Sequence, residues 1–539
     1  MTPYDEVLYP TRAYPQTDPN RLAAIAFLRG LLSAPIERCR VLELGCGAGT
    51  NLIGMAYRLP GSEFVGFDLA HRPIVSGQKF IRELGLGNIG LHPIDLAEAR
   101  ADRFGSFDFI IAHGLYSWVP EKVRERILAV CREMLNSNGI AYISYNAYPG
   151  NHFRDLVRGM IRFHAARFQA PAEKIGQARG LLKFLAESQV TPDYYAEAIK
   201  TEFERVVNYP DEAFYHDDLS SINQPFYFHE FIRDAKRHGL QFVGEARASE
   251  LVWEDYTPEV RGRMKELEGT NETVREQFKD FIRGWSFRQT VLCRKEIELA
   301  PDLVAERVQE LYAMCDAAPL QRTELEGRAA VFRRAAGAEL LVAPGPVSAA
   351  FGFLCSQWPG SASWQELREA AALGSTITAE EEAELAQTVI KAQKMGFLQL
   401  HVARHNVANR ITERPLISEL ARLQLRQGSA ATSQLHTSVD FPDPFKRRFV
   451  QLLDGTRNRR MLAREMLDFV KSERCTVFRD GTPIKDSATL ETILESRLQQ
   501  ELESLARAGM LLSANASCRA PGSGAASASD RISQRRIGE

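Results

Sequence analysis

The chain has no apolar run near the roughly 18 residues that a membrane span requires, so membrane insertion is not expected. Its opening, MTPYDEVLYPTRAYP, lacks a basic segment leading into an apolar one, and a secretory signal is not expected either. The eight cysteines contain no CxxC pair and no framework spacing, which points to reduced thiols and a cytoplasmic location. Neither charge sign dominates: 67 Lys+Arg stand against 69 Asp+Glu, a formal net charge of −2. No overall field therefore steers the protein to nucleic acid or to an anionic membrane. Metal motifs are missing too. FHEFIR contains His229-Glu230, but the second histidine of HExxH would fall at position 233, which is Arg. His401 and His405 stand four apart, yet the preceding FLQLHV alternates like a strand, which is expected to separate them. No metal is expected.

What is present begins at VLELGCGAGT (41–50), a strand running into a turn with glycine at 45, 47 and 49. A phosphate-binding GxxxxGK[ST] loop would need a lysine that does not follow here. A GxGxxG dinucleotide turn would place its third glycine at position 50, which is Thr. The pattern is instead an acid, Glu43, two residues before GxGxG. S-adenosyl-L-methionine fits it: this cofactor has no pyrophosphate, and its amino-acid end can be balanced by a carboxylate. The glycines let the backbone pass close under ribose and methionine. SEFVGFDLA (62–70) is a second strand ending in Asp68, 19 residues after Gly49, where a carboxylate can grip both ribose hydroxyls. Between them NLIGMAYRLP has apolar residues at helical spacing and Pro60 as a stop. A third strand, NIGLHPIDL, ends at Asp95, positioned to accept from the adenine amino group. FDFIIAHG (107–114) and GIAYISYN (139–146) are predicted fourth and fifth strands.

Residues Glu43, Gly45, Gly47, Gly49, Asp68 and Asp95 thus form one cofactor set. Cys46, Asn51, Leu69, Leu96, His113 and Gly114 flank it, and His113 is expected as a wall residue, not a base. Tyr14 either covers the cofactor or only docks the opening segment. Ligands of a doubly wound sheet bind beyond the strands' carboxyl ends. There HGLYSWVP and SYNAYPG offer Tyr116, Trp118, Tyr145, Asn146 and Tyr148. Tyr116, Tyr145 and Asn146 are the candidate catalytic residues, orienting an acceptor nitrogen; Trp118 and Tyr148 are candidate substrate-binding residues. The absence of [DNS]PP[YF] after strand four counts against nucleobase amines.

Together with HDDLSSINQPFYFHEF (216–231), AKRHGLQFVGEA (235–246) and SFRQTVLC (286–293), these segments resemble class I S-adenosylmethionine-dependent methyltransferases that carry a methyltransferase regulatory domain. The resemblance implies an α/β fold: a Rossmann-like methyltransferase domain, a helical insertion or regulatory region, and further C-terminal units. It also implies kinship with bacterial lysine methyltransferases of outer-membrane or surface proteins, hence a protein substrate.

Beyond residue 300 a repeat is visible. FGFLCSQWPGSASWQEL (351–367) and RRFVQLLDGTRNRRML (447–462) each run from an apolar helix into a PG or DG turn. A leucine follows each glycine by seven residues, at Leu367 and Leu462. Helices followed by a short wing suggest tandem winged-helix-like units. The expected division is 1–150 cofactor-binding domain, 151–300 helix-rich regulatory domain, 301–405 and 406–515 winged-helix-like units, and 516–539 a disordered Gly/Ala/Ser-rich tail. Two other functions share the cofactor residues: methylation of a small molecule or natural product, and a DNA-binding regulator that senses S-adenosylmethionine. TRNRRMLAREM offers four arginines for DNA but SASWQELREAAALG is not basic, so nucleic acid is not expected. The cofactor site is expected to be complete without the winged units.

Overall fold

The computed structural model describes residues 3–247, 257–268, 271–321, 329–372, 374, 376–472, 478–479, 482–483 and 487–513. The expected tail at 516–539 lies outside them. So do Asp480 and Gly481, which read in the sequence as a hairpin turn; Phe478–Arg479 and Thr482–Pro483 on either side pair antiparallel.

Seven strands make the main sheet: β1 Arg40–Leu44, β2 Glu63–Asp68, β3 Ile89–Pro93, β4 Phe107–Ala112, β5 Leu135–Asn146, β6 Leu240–Glu245 and β7 Phe287–Arg294. Their order is β3-β2-β1-β4-β5-β7-β6. β1 to β5 pair in parallel, whereas β7 is antiparallel to both β5 and β6. The order reverses beside β1 and β4, and their carboxyl ends frame a crevice. Because helices cover both faces, β1 and β4 are apolar almost throughout, as buried parallel strands must be. The helix Thr50–Arg58 buries Leu52, Ile53, Met55 and Ala56 against the sheet and stops before Pro60.

The boundary expected at residue 150 runs through this sheet. After β5 the chain leaves as four helices, Asn151–Ala165, Pro171–Glu187, Tyr194–Val207 and Asp211–Asp218, with a small core of their own around Ile161, Leu182, Ile199 and Phe214. It then returns with the helix Phe228–Arg237, β6 and β7 to complete the sheet. Within Asn151–Ala165 the buried stripe is Val157, Ile161 and Ala165. Leu156 and Phe163 of the same helix are exposed.

The two C-terminal units have one arrangement. In the first, the strand Tyr312–Met314 is flanked antiparallel by Ala362–Ser363 and Gln399–His401. The helices Pro346–Ser356, Trp364–Ala371 and Ala379–Lys394 fill the connections. In the second, Leu416 and Ile417 bridge Asp454 and Leu511, and Pro444–Leu452, Arg459–Ser472 and Ser487–Arg507 occupy the same places. Leu367 and Leu462 are buried at matching positions. Both units pack on the first domain: Phe27 and Leu28 join the core of one, and Leu420 of the other joins the core beneath β1. His401 and His405 are brought together, not separated, because the chain turns immediately after Gln399–His401. Their Nδ1 and Nε2 atoms lie 3.3 Å apart.

Candidate active site

Gly45, Gly47 and Gly49 all have left-handed backbones, with φ of 72°, 55° and 72°. That is the physical demand behind the spacing read in the sequence. Side chains close in as well: a Cβ on Gly49 would sit 2.8 Å from Leu91. The loop crosses the mouth of a cavity of about 1370 Å³ at the carboxyl ends of β1, β2 and β4. Tyr14, Glu43, Gly45, Cys46, Gly47, Asn51, Asp68, Leu69, Asp95, Leu96, His113 and Gly114 line it. Gly49 does not; it holds the turn from behind.

Glu43 is the most unusual group there. It is only 4% exposed, and burial raises its carboxyl from the ordinary 4.5 to about 8. Oε1 accepts from Asn51 Nδ2 at 2.9 Å, whereas Oε2 is buried without a partner. A buried acceptor with no partner among the described residues is able to take a donor from outside the chain. Asp68, also raised by burial, accepts from the Gly47 and Ala70 amides at 2.8 Å. Each of its oxygens keeps a second lone pair. Asp95 caps the turn Leu96–Glu98 by accepting from Ala97 N. His113 is held neutral by burial, its value lowered to about 4, and its ring lies 3.9 Å from that of Tyr14. A wall role fits it better than a proton-transfer role.

The candidate catalytic residues divide. Asn146 lines the cavity. Asp155 can only accept, so its bond from Asn223 Nδ2 turns Asn223 Oδ1 toward Asn146 Nδ2, 2.7 Å away. The Asn146 oxygen is thereby left for another donor. Tyr116 and Tyr145 are corrected: neither lines the cavity, and both are at most 2% exposed. Tyr145 alternates with Ser144 and Asn146 along β5 and so points to the opposite face. There it stacks on Phe231 at 4.1 Å, with its hydroxyl 3.3 Å from Thr290 Oγ1. Tyr116 packs edge-on against the same Phe231. Tyr148 is outside the cavity as well, stacked on His152 and hydrogen-bonded to Asp155. Trp118 does line it. Tyr145→Phe is accordingly expected to leave kcat and KM within about twofold and to cost about 0.5–1.5 kcal/mol of stability, one buried hydrogen bond. Steady-state kinetics beside a urea melt checks this; a tenfold fall in kcat would return Tyr145 to the chemistry.

Residues that local spacing did not reveal also line the cavity. The opening segment contributes Tyr4, Tyr9 and Thr11, and the helical insertion contributes Phe153, Tyr215 and Asp217. Asp217 lies within 3.4 Å of the Tyr9 hydroxyl and also accepts from Tyr209, while His216 Nε2 donates to Val7 O at 2.7 Å. The opening segment is thus strapped to the insertion on one side. On the other it meets the second winged unit: Ser438 Oγ accepts from Ala13 N at 2.8 Å and Asp440 pairs with Arg12. All lining residues fall between Tyr4 and Phe287, so the winged units contribute none of them; here the second unit meets the site through the strap.

Three family models match the chain: a methyltransferase domain over residues 42–141, a predicted methyltransferase regulatory domain over 210–294, and a PKMT C-terminal winged helix domain over 413–510. The regulatory-domain match contains β6 and β7 and so belongs to the main sheet. An uncharacterised protein of Rickettsia prowazekii (strain Madrid E) is 30% identical over 527 residues, covering 95% of this chain and 94% of its own. Another from that organism is 38% identical over 243 residues, 44% of this chain and 96% of its own. The structure of PKMT2 from Rickettsia typhi in complex with AdoHcy is similar with a TM-score of 0.83 at 26% identity, covering 94% of this chain and all of that one. Among the described residues no helix is long and apolar enough to cross a membrane.

Proposed function

The chain belongs to the class I S-adenosyl-L-methionine-dependent methyltransferases that join a regulatory domain and a PKMT winged helix domain to the catalytic sheet, and we propose that its methyl acceptor is the lysine amine of a protein. The cofactor, S-adenosyl-L-methionine, supplies an electrophilic methyl on a sulfonium. Glu43 Oε2 would take its ammonium, Asp68 the ribose hydroxyls and Asp95 the adenine amine, with Gly45, Gly47 and Gly114 giving close backbone approach and His113 and Leu96 acting as walls.

The observation that carries the lysine reading is the extent of the cavity. At about 1370 Å³ it exceeds the 300–1,000 Å³ of an ordinary small-ligand site. The further portion is walled by Trp118, Phe153, Tyr9, Tyr215 and Asp217. Aromatic faces suit an aliphatic stem with a cationic tip, and Asp217 supplies opposite charge for an arriving ammonium. The Asn146 oxygen can accept one N–H and aim the nitrogen's lone pair. No covalent intermediate is required; positioning supplies the acceleration. The relatives' designation PKMT, read as protein lysine methyltransferase, supports the same substrate class, and outer-membrane or surface proteins are the first to test.

Only the unprotonated amine reacts, and its free pKa is about 10.4. Incubating the chain with labelled cofactor and bacterial protein should therefore place label on lysine Nε, at a rate rising with pH between about 7 and 9. Peptide mass spectrometry reads the outcome. Label on carboxylates, hydroxyls or a small molecule would overturn the lysine assignment.

A further inference from the structure

The second winged unit reaches the carboxylate at the centre of the cofactor site. Its hairpin, Ala430–Thr432 and Ser438–Asp440, carries His436 at the tip. That residue is fully buried, and it adopts φ of 56°, a left-handed backbone that a non-glycine residue takes only at a cost. Its Nε2 lies 2.9 Å from Asn51 Oδ1. Asn51 Oδ1 also accepts from the Tyr14 amide at 2.9 Å, which fixes the amide's orientation. Oδ1 can only accept, so His436 Nε2 carries the proton. Asn51 Nδ2 is then turned to Glu43 Oε1.

Gly54 provides independent support. It lies inside the helix Thr50–Arg58, where glycine costs about 1 kcal/mol relative to alanine. A Cβ there would stand 3.1 Å from His436 Cε1 and Nδ1 and 3.2 Å from Thr432 Cγ2, all on the same hairpin. The helix is therefore missing a side chain where the histidine ring crosses it. Two residues beyond His436, Ser438 holds the Ala13 amide, so the same hairpin fixes both Asn51 and the strap that carries Tyr14.

We infer that the second winged-helix unit is a built-in part of the cofactor site, with His436 as a positioning residue that acts through Asn51 on Glu43 and on the opening strap. Docking of the unit and retention of cofactor are then one equilibrium. This rests on the reading of Glu43 and Tyr14 as cofactor-site residues.

Calorimetry of AdoHcy binding to the full chain tests it. Wild type should bind, and His436→Ala should raise Kd at least tenfold. His436→Gln, which offers an N–H at a similar reach, should recover most of that loss; a merely structural filler would give no such rescue. Gly54→Ala favours the helix but crowds the ring, so it should raise Kd severalfold while remaining folded. In the double variant only the Thr432 methyl still crowds the alanine, and Kd should rise by clearly less than the two single effects combined. Unchanged Kd in a folded His436→Ala chain, or a full additive loss in the double variant, would overturn the coupling. A wild-type chain that took up no AdoHcy would instead remove the cofactor-site reading beneath it.

Discussion

Glu43→Gln is expected to make the empty protein more stable and its cofactor affinity lower. Burial holds the Glu43 carboxyl near 8 in the folded chain, against an ordinary 4.5. A raised folded value means that stability is fully present below about pH 4.5 and is lost as pH rises toward 8. Across that window the native chain gives up on the order of 3–5 kcal/mol, each pH unit being worth about 1.4. Glutamine has no proton to lose, so the variant's melting temperature should fall less between pH 5 and 8 than that of the wild type. The cofactor responds the other way. Its ammonium gains a charge-assisted hydrogen bond to a carboxylate and a weaker one to an amide, a difference of roughly 1.5–3 kcal/mol, or about 10- to 150-fold in Kd. Thermal melts across pH, with and without AdoHcy, read both effects. A variant that was less stable yet bound AdoHcy normally would make Glu43 a structural acid held by Asn51.

Arg288→Met is expected to be the most damaging single change outside the cavity, at about 3–5 kcal/mol. Arg288 is 3% exposed and stands among three carboxylates: Glu245 at 2.9 Å, Asp280 at 2.9 Å and Glu276 at 3.4 Å. Its guanidinium lies 4.0 Å from the Phe228 ring centre. Even with the arginine present, burial raises Asp280 to about 7. Methionine matches the stem but leaves Glu245, Glu276 and Asp280 facing one another, with Lys279 and, less directly, Arg275 offsetting only Glu276. These groups join the helix Glu272–Arg283 to β6 and β7, so the sheet edge is where unfolding should begin. Denaturant melts should show the loss, and hydrogen exchange should show it first in residues 272–294. A loss below about 1 kcal/mol would mean that the carboxylates simply take up protons together.

The sequence by itself determined which residues of the candidate site the strand ends and the glycine turn bring together. Glu43, the three glycines, Asp68 and Asp95 are legible because each belongs to a local strand-turn-helix unit. The turn that follows each strand sets its carboxyl end, where these residues stand, and a left-handed turn admits little but glycine. The winged units were legible for the same reason, as a repeated helix-turn-helix pattern with leucines at equal spacing. Tertiary structure alone decided the substrate half. Alternation along β5 separates Tyr145 from Asn146 but cannot say which face is dry. The helix Phe228–Arg237 decides that, and it arrives only after a four-helix excursion. The positions of β6 and β7, the strap with Tyr9, the wall at Asp217, and His436 against Asn51 likewise depend on contacts between segments up to 428 residues apart. No local period encodes such distances. They follow from which buried surfaces fit together, and that fit exists only once the chain has folded.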